Sequence, residues 1–184
     1  MVTKSLSINR LIKGKKTYPT WSTESCHRLA VENYNQGVIV FYFTKGKRKI
    51  SRRFPKNIAL SPKFCYALGF LKGEGSNSLG KSNYRRFTIT NSDPVILSFV
   101  LNELGKNQLF QPDDLIDKSV HLIHFTKSPS EVIAYWSNML SIPKKKFVCF
   151  YDKKRTSPFG VCHIYISDVL LRRVVDLFHE KMIK

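Results

Sequence analysis

Glu74 stands between Gly73 and Gly75 in a chain that has few acids, 13 Asp and Glu against 31 Lys and Arg. The segment around it, YALGFLKGEG at 66 to 75, reads as a helix with the acid at its C-terminal end. A carboxylate there faces the negative pole of the helix dipole, which costs a few tenths to about 1 kcal/mol unless a cation compensates. A divalent metal that prefers oxygen ligands would do so. Cys65, Gly69 and Gly73 recur every four residues and so form one file on that helix, a flat ridge where another backbone can come close. Each glycine costs about 1 kcal/mol of helix stability relative to alanine, which argues for an interface that needs them. Spacing leaves two partners equally open, a second copy of the chain or the protein's own sheet. A second copy would bring two Glu74 side chains together, and paired acidic oxygens around a metal can activate water against a phosphodiester and stabilise the leaving oxygen. A single glutamate at a helix end is ordinarily plain surface, so spacing alone is a weak signal.

These residues need elements to position them. Ser61 and Pro62 read as the N-cap and first residue of the helix, which FCYALGFLK carries to Gly73. A hairpin is expected over roughly Ser76 to Leu79 and Asn83 to Thr90. Ser92-Asp93-Pro94 then caps a helix to about Leu104, with Ile96, Leu97, Val100, Leu101 and Leu104 at helical spacing. VHLIHFT is a strand, and Ser128-Pro129-Ser130-Glu131 is a capping signal that opens EVIAYWSNML, closed by Ile142-Pro143. KKFVCFYDKK and FGVCHIYIS are expected to pair across a Thr-Ser-Pro turn, before a terminal helix begun by Ser167-Asp168. Upstream, GVIVFYFT, a KGK turn and RKISRRFPK predict a β-hairpin whose basic stretch, Lys45 to Arg53, suits contact with a nucleic-acid backbone. Residues 1 to 36 say little beyond a hint of a short helix at Thr23 to Tyr34. The expected organisation is a basic N-terminal extension, residues 1–58, and one mixed α/β (α+β) domain, residues 59–184, whose sheet has helices on one face only.

Strand alternation marks the free face. Phe87 and Ile89 oppose Arg86, Thr88 and Thr90, while Cys162, Ile164 and Ile166 oppose His163 and Tyr165. A sheet presenting such polar and basic side chains can lie in a DNA groove, although a merely solvated face is as common for any one residue.

Bulk composition points the same way. The 184 residues, 42% of them hydrophobic, suffice for a real core, and a net charge of +18 strains the compact state unless a polyanion relieves it. An anionic membrane is the weaker candidate, since the basic residues form no amphipathic helix. Cys26, Cys65, Cys149 and Cys162 lack the spacing of a zinc site and read as reduced core residues. No signal peptide or membrane span is evident, which predicts a soluble intracellular protein.

The stretch Tyr66 to Gly75, and GFLKGEG at Gly69 to Gly75 above all, resembles the signature of the LAGLIDADG homing endonucleases, a helix ending in Gly or Ala, an acid, and Gly. TNSDPVILSFVLNEL at Thr90 to Leu104 and YWSNMLSIPKKKF are similar to later parts of small single-motif members, so the resemblance covers about Ala59 to the C-terminus. It implies a curved antiparallel sheet saddle with helices on one face, and site-specific cleavage of double-stranded DNA with Mg²⁺ (or Mn²⁺). It further implies that Glu74, with Gly73 beside it, binds the metal, and that a homodimer packs through Cys65, Leu68, Gly69, Lys72 and Gly73. Lys72 departs from the family, which often has an acid there, whereas Glu in place of Asp at position 74 is a variation the family tolerates. Candidate DNA contacts, chosen for strand face, hairpin position or charge, are Asn77, Lys81, Arg85, Arg86, Thr88, Lys127, Lys153, Arg155 and His163. Lys127 and Lys153 are also candidates for stabilising charge at the scissile phosphate. The resemblance extends to non-catalytic DNA-binding regulators and to maturases acting on intron RNA, and a structural RNA-binding protein would also suit the charge.

Overall fold

A computed structural model describes residues 4–17, 26–74, 87–124, 128–153 and 157–182. The chain is mixed α/β. In order it forms β1 (Ser5–Ser7), α1 (Ile8–Ile12), β2 (Ala30–Tyr34), β3 (Gly37–Phe43), β4 (Lys49–Phe54), β5 (Asn57–Ala59) and α2 (Pro62–Glu74). There follow β6 (Phe87–Asn91), α3 (Pro94–Lys106), β7 (Val120–His124), α4 (Pro129–Leu140), β8 (Phe147–Tyr151), β9 (Val161–Ile166) and α5 (Val169–Met182). No described helix is long and apolar enough to cross a membrane.

The helix starts follow from local chemistry. Ser61 Oγ accepts from the Phe64 amide (3.1 Å) at the head of α2, and Asp93 accepts from Val95 (2.8 Å) at the head of α3. Ser128 and Glu131 close a reciprocal capping box on α4, and Asp168 accepts from the Leu170 and Leu171 amides, both at 2.8 Å, ahead of α5. Ser141, at φ 54, ends α4 in the left-handed conformation.

The N-terminal hairpin β3–β4 forms, and β2 adds to it antiparallel, with Ala30 opposite Phe41. The short helix hinted at over Thr23 to Tyr34 is therefore corrected in its described part. Val31 and its neighbours find a ladder on β3, and that pairing overrides weak helical spacing. β1 pairs with β5 and brings α1 against α5.

The main sheet has the order β6-β9-β7-β8. β9 is antiparallel to both β6 and β7, but β7 and β8 run parallel, joined through α4. Two expectations change here. The sheet is mixed and not purely antiparallel, and FVCFY does not pair with VCHIYI, because β7 lies between them. A parallel neighbour requires a crossover, which α4 provides. Gly160 makes the return into β9 possible: its φ is +73, and a Cβ there would sit 2.0 Å from the Ile123 carbonyl oxygen. The turn before it is held by Trp136, wholly buried, whose Nε1–H donates to the Phe159 carbonyl (2.7 Å), and by Tyr135 stacked on Phe159 at 3.8 Å.

Phe87, Ile89, Val120, Leu122, Phe147, Cys162, Ile164 and Ile166 bury one face of this sheet against the helices. One apolar cluster continues from them through Phe64, Leu68 and Phe178 to Ile8, Val40 and Phe54 of the N-terminal segment. Of the cysteines, all free, only Cys162 is in that core, and burial pushes its thiol well up; Cys26 is exposed.

Candidate nucleic-acid interface and motif helix

α2 has two sides. Phe64, Ala67, Leu68 and Leu71 are buried, with Phe64 edge-on to Phe178 of α5 at 5.9 Å. His179 of α5 donates from Nε2–H to the Leu68 carbonyl oxygen (2.7 Å), tying the two helices together. Gly69, Lys72 and Gly73 face outward, beside half-buried Cys65 and exposed Tyr66. A Cβ built on Gly69 or Gly73 meets nothing within 4 Å. Among the described residues the glycine ridge is thus open, with no part of the described sheet packed on it. Leu68 is a correction: it lies one residue, about 100°, round the helix from Gly69 and is fully buried in its own chain, so it is not on the ridge. Glu74 is the last helical residue.

The face of the main sheet away from the helices carries Thr88 and Thr90 on β6, His163 and Tyr165 on β9, His121 and Ile123 on β7, and Val148 and Phe150 on β8. The alternation read in β6 and β9 is realised. Thr90 Oγ1 and His163 Nδ1 lie 2.9 Å apart, and Thr88 stands opposite Tyr165. His121 and Phe150 escaped the sequence reading. The alternation of VHLIHF contained the signal for His121, but only the insertion of β9 beside β7 brings it next to Tyr165.

The remaining candidates are dispersed. Lys153 is exposed just past the end of β8, three inter-strand spacings or about 14 Å across the sheet from β6, while α2 packs beside β6. Lys127, Asn77, Lys81, Arg85, Arg86 and Arg155 lie outside the described residues. On the hairpin, Lys49 meets Glu32 (3.2 Å) and sits over the Phe41 ring, and Arg53 lies over Tyr34. Arg52 turns inward to Asp168 (2.7 Å), Asp114 (2.9 Å) and the Leu109 carbonyl (3.0 Å), so one of the basic residues read for backbone contact is a structural tie instead.

Among the described residues no three His, Cys, Asp or Glu side chains stand together in a way that could hold a metal ion. Compared with protein-family models, curated proteins and solved structures, the chain matches none.

Proposed function

We propose that this chain is a site-specific endonuclease for double-stranded DNA that works as a homodimer, with the fold of the LAGLIDADG nucleases its motif resembles. The observation that carries the reading is the open ridge of α2. Two glycines in the middle and last turn of a helix weaken it with no contact among the described residues to offset the loss, and a second copy of the same ridge is the partner of matching shape. Such an isologous contact brings two Glu74 residues together.

The donor chemistry suits Mg²⁺ or Mn²⁺: a carboxylate and the carbonyls at a helix end, Gly73 included, are hard oxygen ligands. One chain supplies a single acid at that position, so the oxygens gather only between two copies. A bound ion of this kind polarises the phosphate and supplies an activated water. Glu74 would hold and orient that water, the paired ridges would fix the two acids, and Thr88 and His163 on the outer sheet face would contact a half-site in each copy. Lys127 is the basic side chain proposed to neutralise charge on the cut strand, because Lys153 lies at the far edge of the sheet from the motif helix.

The test is a pool of randomised DNA duplexes incubated with the protein and Mg²⁺, from which cut molecules are sequenced. Wild type is expected to release products sharing one nearly palindromic site. Glu74→Gln should bind that site with unchanged affinity and cut it at least 10²-fold more slowly, an order set by losing one such group. A wild-type protein that cuts nothing in the pool with either metal would reject the enzyme reading in favour of a DNA-binding regulator.

A further inference from the structure

The outer face of the main sheet is chemically divided. Its β6 side carries hydroxyls, Thr88 and Thr90, with His163 of β9 held by Thr90. Across β9, β7 and β8 runs a diagonal file of rings. Tyr165 lies 4.6 Å from His121, and His121 lies 5.1 Å from Phe150, centroid to centroid, with successive ring planes turned by 56° and 61°. His163, on the same strand as Tyr165 and opposite His121, flanks the file, parallel to Tyr165 within 14° at 6.3 Å. Phe150 is 47% exposed, with Ile123 opposite it and Val148 two residues away as its apolar neighbours among the described residues of the face, an arrangement that leaves its ring available to a flat ligand.

The surroundings are cationic. Lys144 and Lys145 are exposed immediately before β8, Lys153 immediately after it, and Lys118 is exposed just ahead of β7. The strand residues of the face include no carboxylate; of the two acids at its margins, Asp117 is paired with Lys146 (3.6 Å) and Asp152 follows β8, so the four lysines outnumber them. Rings in series flanked by lysines match a polyanion made of flat units, and an acidic peptide or a lipid headgroup layer lacks the second property. The bases of a closed duplex stack on each other and offer only their edges, so a ring file needs bases that are unpaired. Two inter-strand spacings from Tyr165 to Phe150, about 10 Å, accommodate two or three bases, as on other four-stranded sheets that stack nucleotides.

We propose that the β9-β7-β8 part of this face is a stacking platform for two or three unpaired nucleotides of DNA, with Tyr165, His121 and Phe150 under the bases and Lys144, Lys145 and Lys153 on the flanking phosphates. The proposal rests on the reading of this face as the DNA-bearing one, but requires neither Glu74 nor a dimer.

Fluorescence anisotropy with a labelled single strand of about twelve thymidines, within the span such surfaces cover, tests it against a closed duplex of equal length. At salt high enough to weaken phosphate contacts, wild type should favour the single strand. Phe150→Ile, which keeps an apolar strand former but removes the ring, should lower single-strand affinity about tenfold and leave duplex affinity within about twofold, while Phe150→Tyr retains both. His121→Ala should behave as Phe150→Ile does. Unchanged single-strand affinity in Phe150→Ile, an equal loss on duplex, or tighter binding of wild type to uridine RNA of the same length would each overturn the proposal. Failure of the nuclease reading is distinguishable, because it appears as uncut duplex while the ring-dependent binding persists.

Discussion

Arg52 brings one cation to a point where two carboxylates and a backbone carbonyl converge, and its partners come from two distant segments, Leu109 with Asp114 and, further on, Asp168. Burial alone would lower its pKa, but Asp114 and Asp168 more than reverse that, so the guanidinium is held charged. Because the Arg52 side chain is 14% exposed and those of Asp114 and Asp168 are 18% and 24% exposed, the network is partly shielded from water. Arg52→Met should cost about 2 kcal/mol in urea unfolding, a value typical of losing charged hydrogen bonds at the protein surface margin. His179 gives a pH signature instead. Burial lowers its pKa from 6.5, assisted by Lys72 and opposed by the Leu68 carbonyl and Asp176. The unfolded chain therefore takes up the proton first, and the stability contributed by the neutral ring is complete above the unfolded value and is lost as pH falls below it. Melting temperature should drop between about pH 7.5 and 5.5 by more in wild type than in His179→Gln, whose amide keeps a donor for Leu68. An equal drop in both would remove His179 as the cause. None of these long-range partners was legible in the sequence, where Arg52 looked like one more basic residue in a charged strand.

At the scale of elements, legibility tracked the range of the interaction. The Ser61, Asp93 and Ser128 caps act within three residues of themselves, and the helices they open begin where the sequence places them. Strand faces were equally readable, since Thr88 and His163 follow a period of two that needs no partner to define. Partner choice was not. A Thr-Ser-Pro turn looked sufficient to fold β8 onto β9, whereas β7 takes that place through contacts more than 30 residues apart in sequence. On α2 the apolar residues extend round much of the helix, Tyr66 and Phe70 included, so the pattern could not assign Leu68 to the core and Gly69 to the surface. The ridge now yields predictions of opposite sign. Gly69→Ala should raise monomer stability by up to about 1 kcal/mol, because its new methyl group meets open space, while weakening self-association measured by sedimentation. A variant that gains stability with unchanged association would remove the ridge from the dimer reading. At Gly160 the same change is expected to destabilise by more than about 2 kcal/mol, since the new Cβ would collide with the Ile123 carbonyl at a positive φ.

For the molecule as a whole, the surplus of 18 positive charges has no acidic counterpart within the chain to neutralise it. If six or more phosphates are contacted, duplex affinity should fall by about 10³-fold or more between roughly 50 and 200 mM salt. A salt-insensitive affinity would instead point to binding that does not use the charge. The order β6-β9-β7-β8 also has a bearing on how the protein is made. β6 and β7 emerge early from the ribosome but share no edge, and the strand that joins them, Val161–Ile166, is synthesised after every other strand of the sheet. A nascent chain stopped near residue 156 therefore has two unpaired strand edges and an open core, exposed to chaperones and proteases. Protease resistance of stalled chains should rise abruptly only once β9 and α5 have left the exit tunnel, so a strand translated after all the others of its sheet decides whether they acquire stable partners.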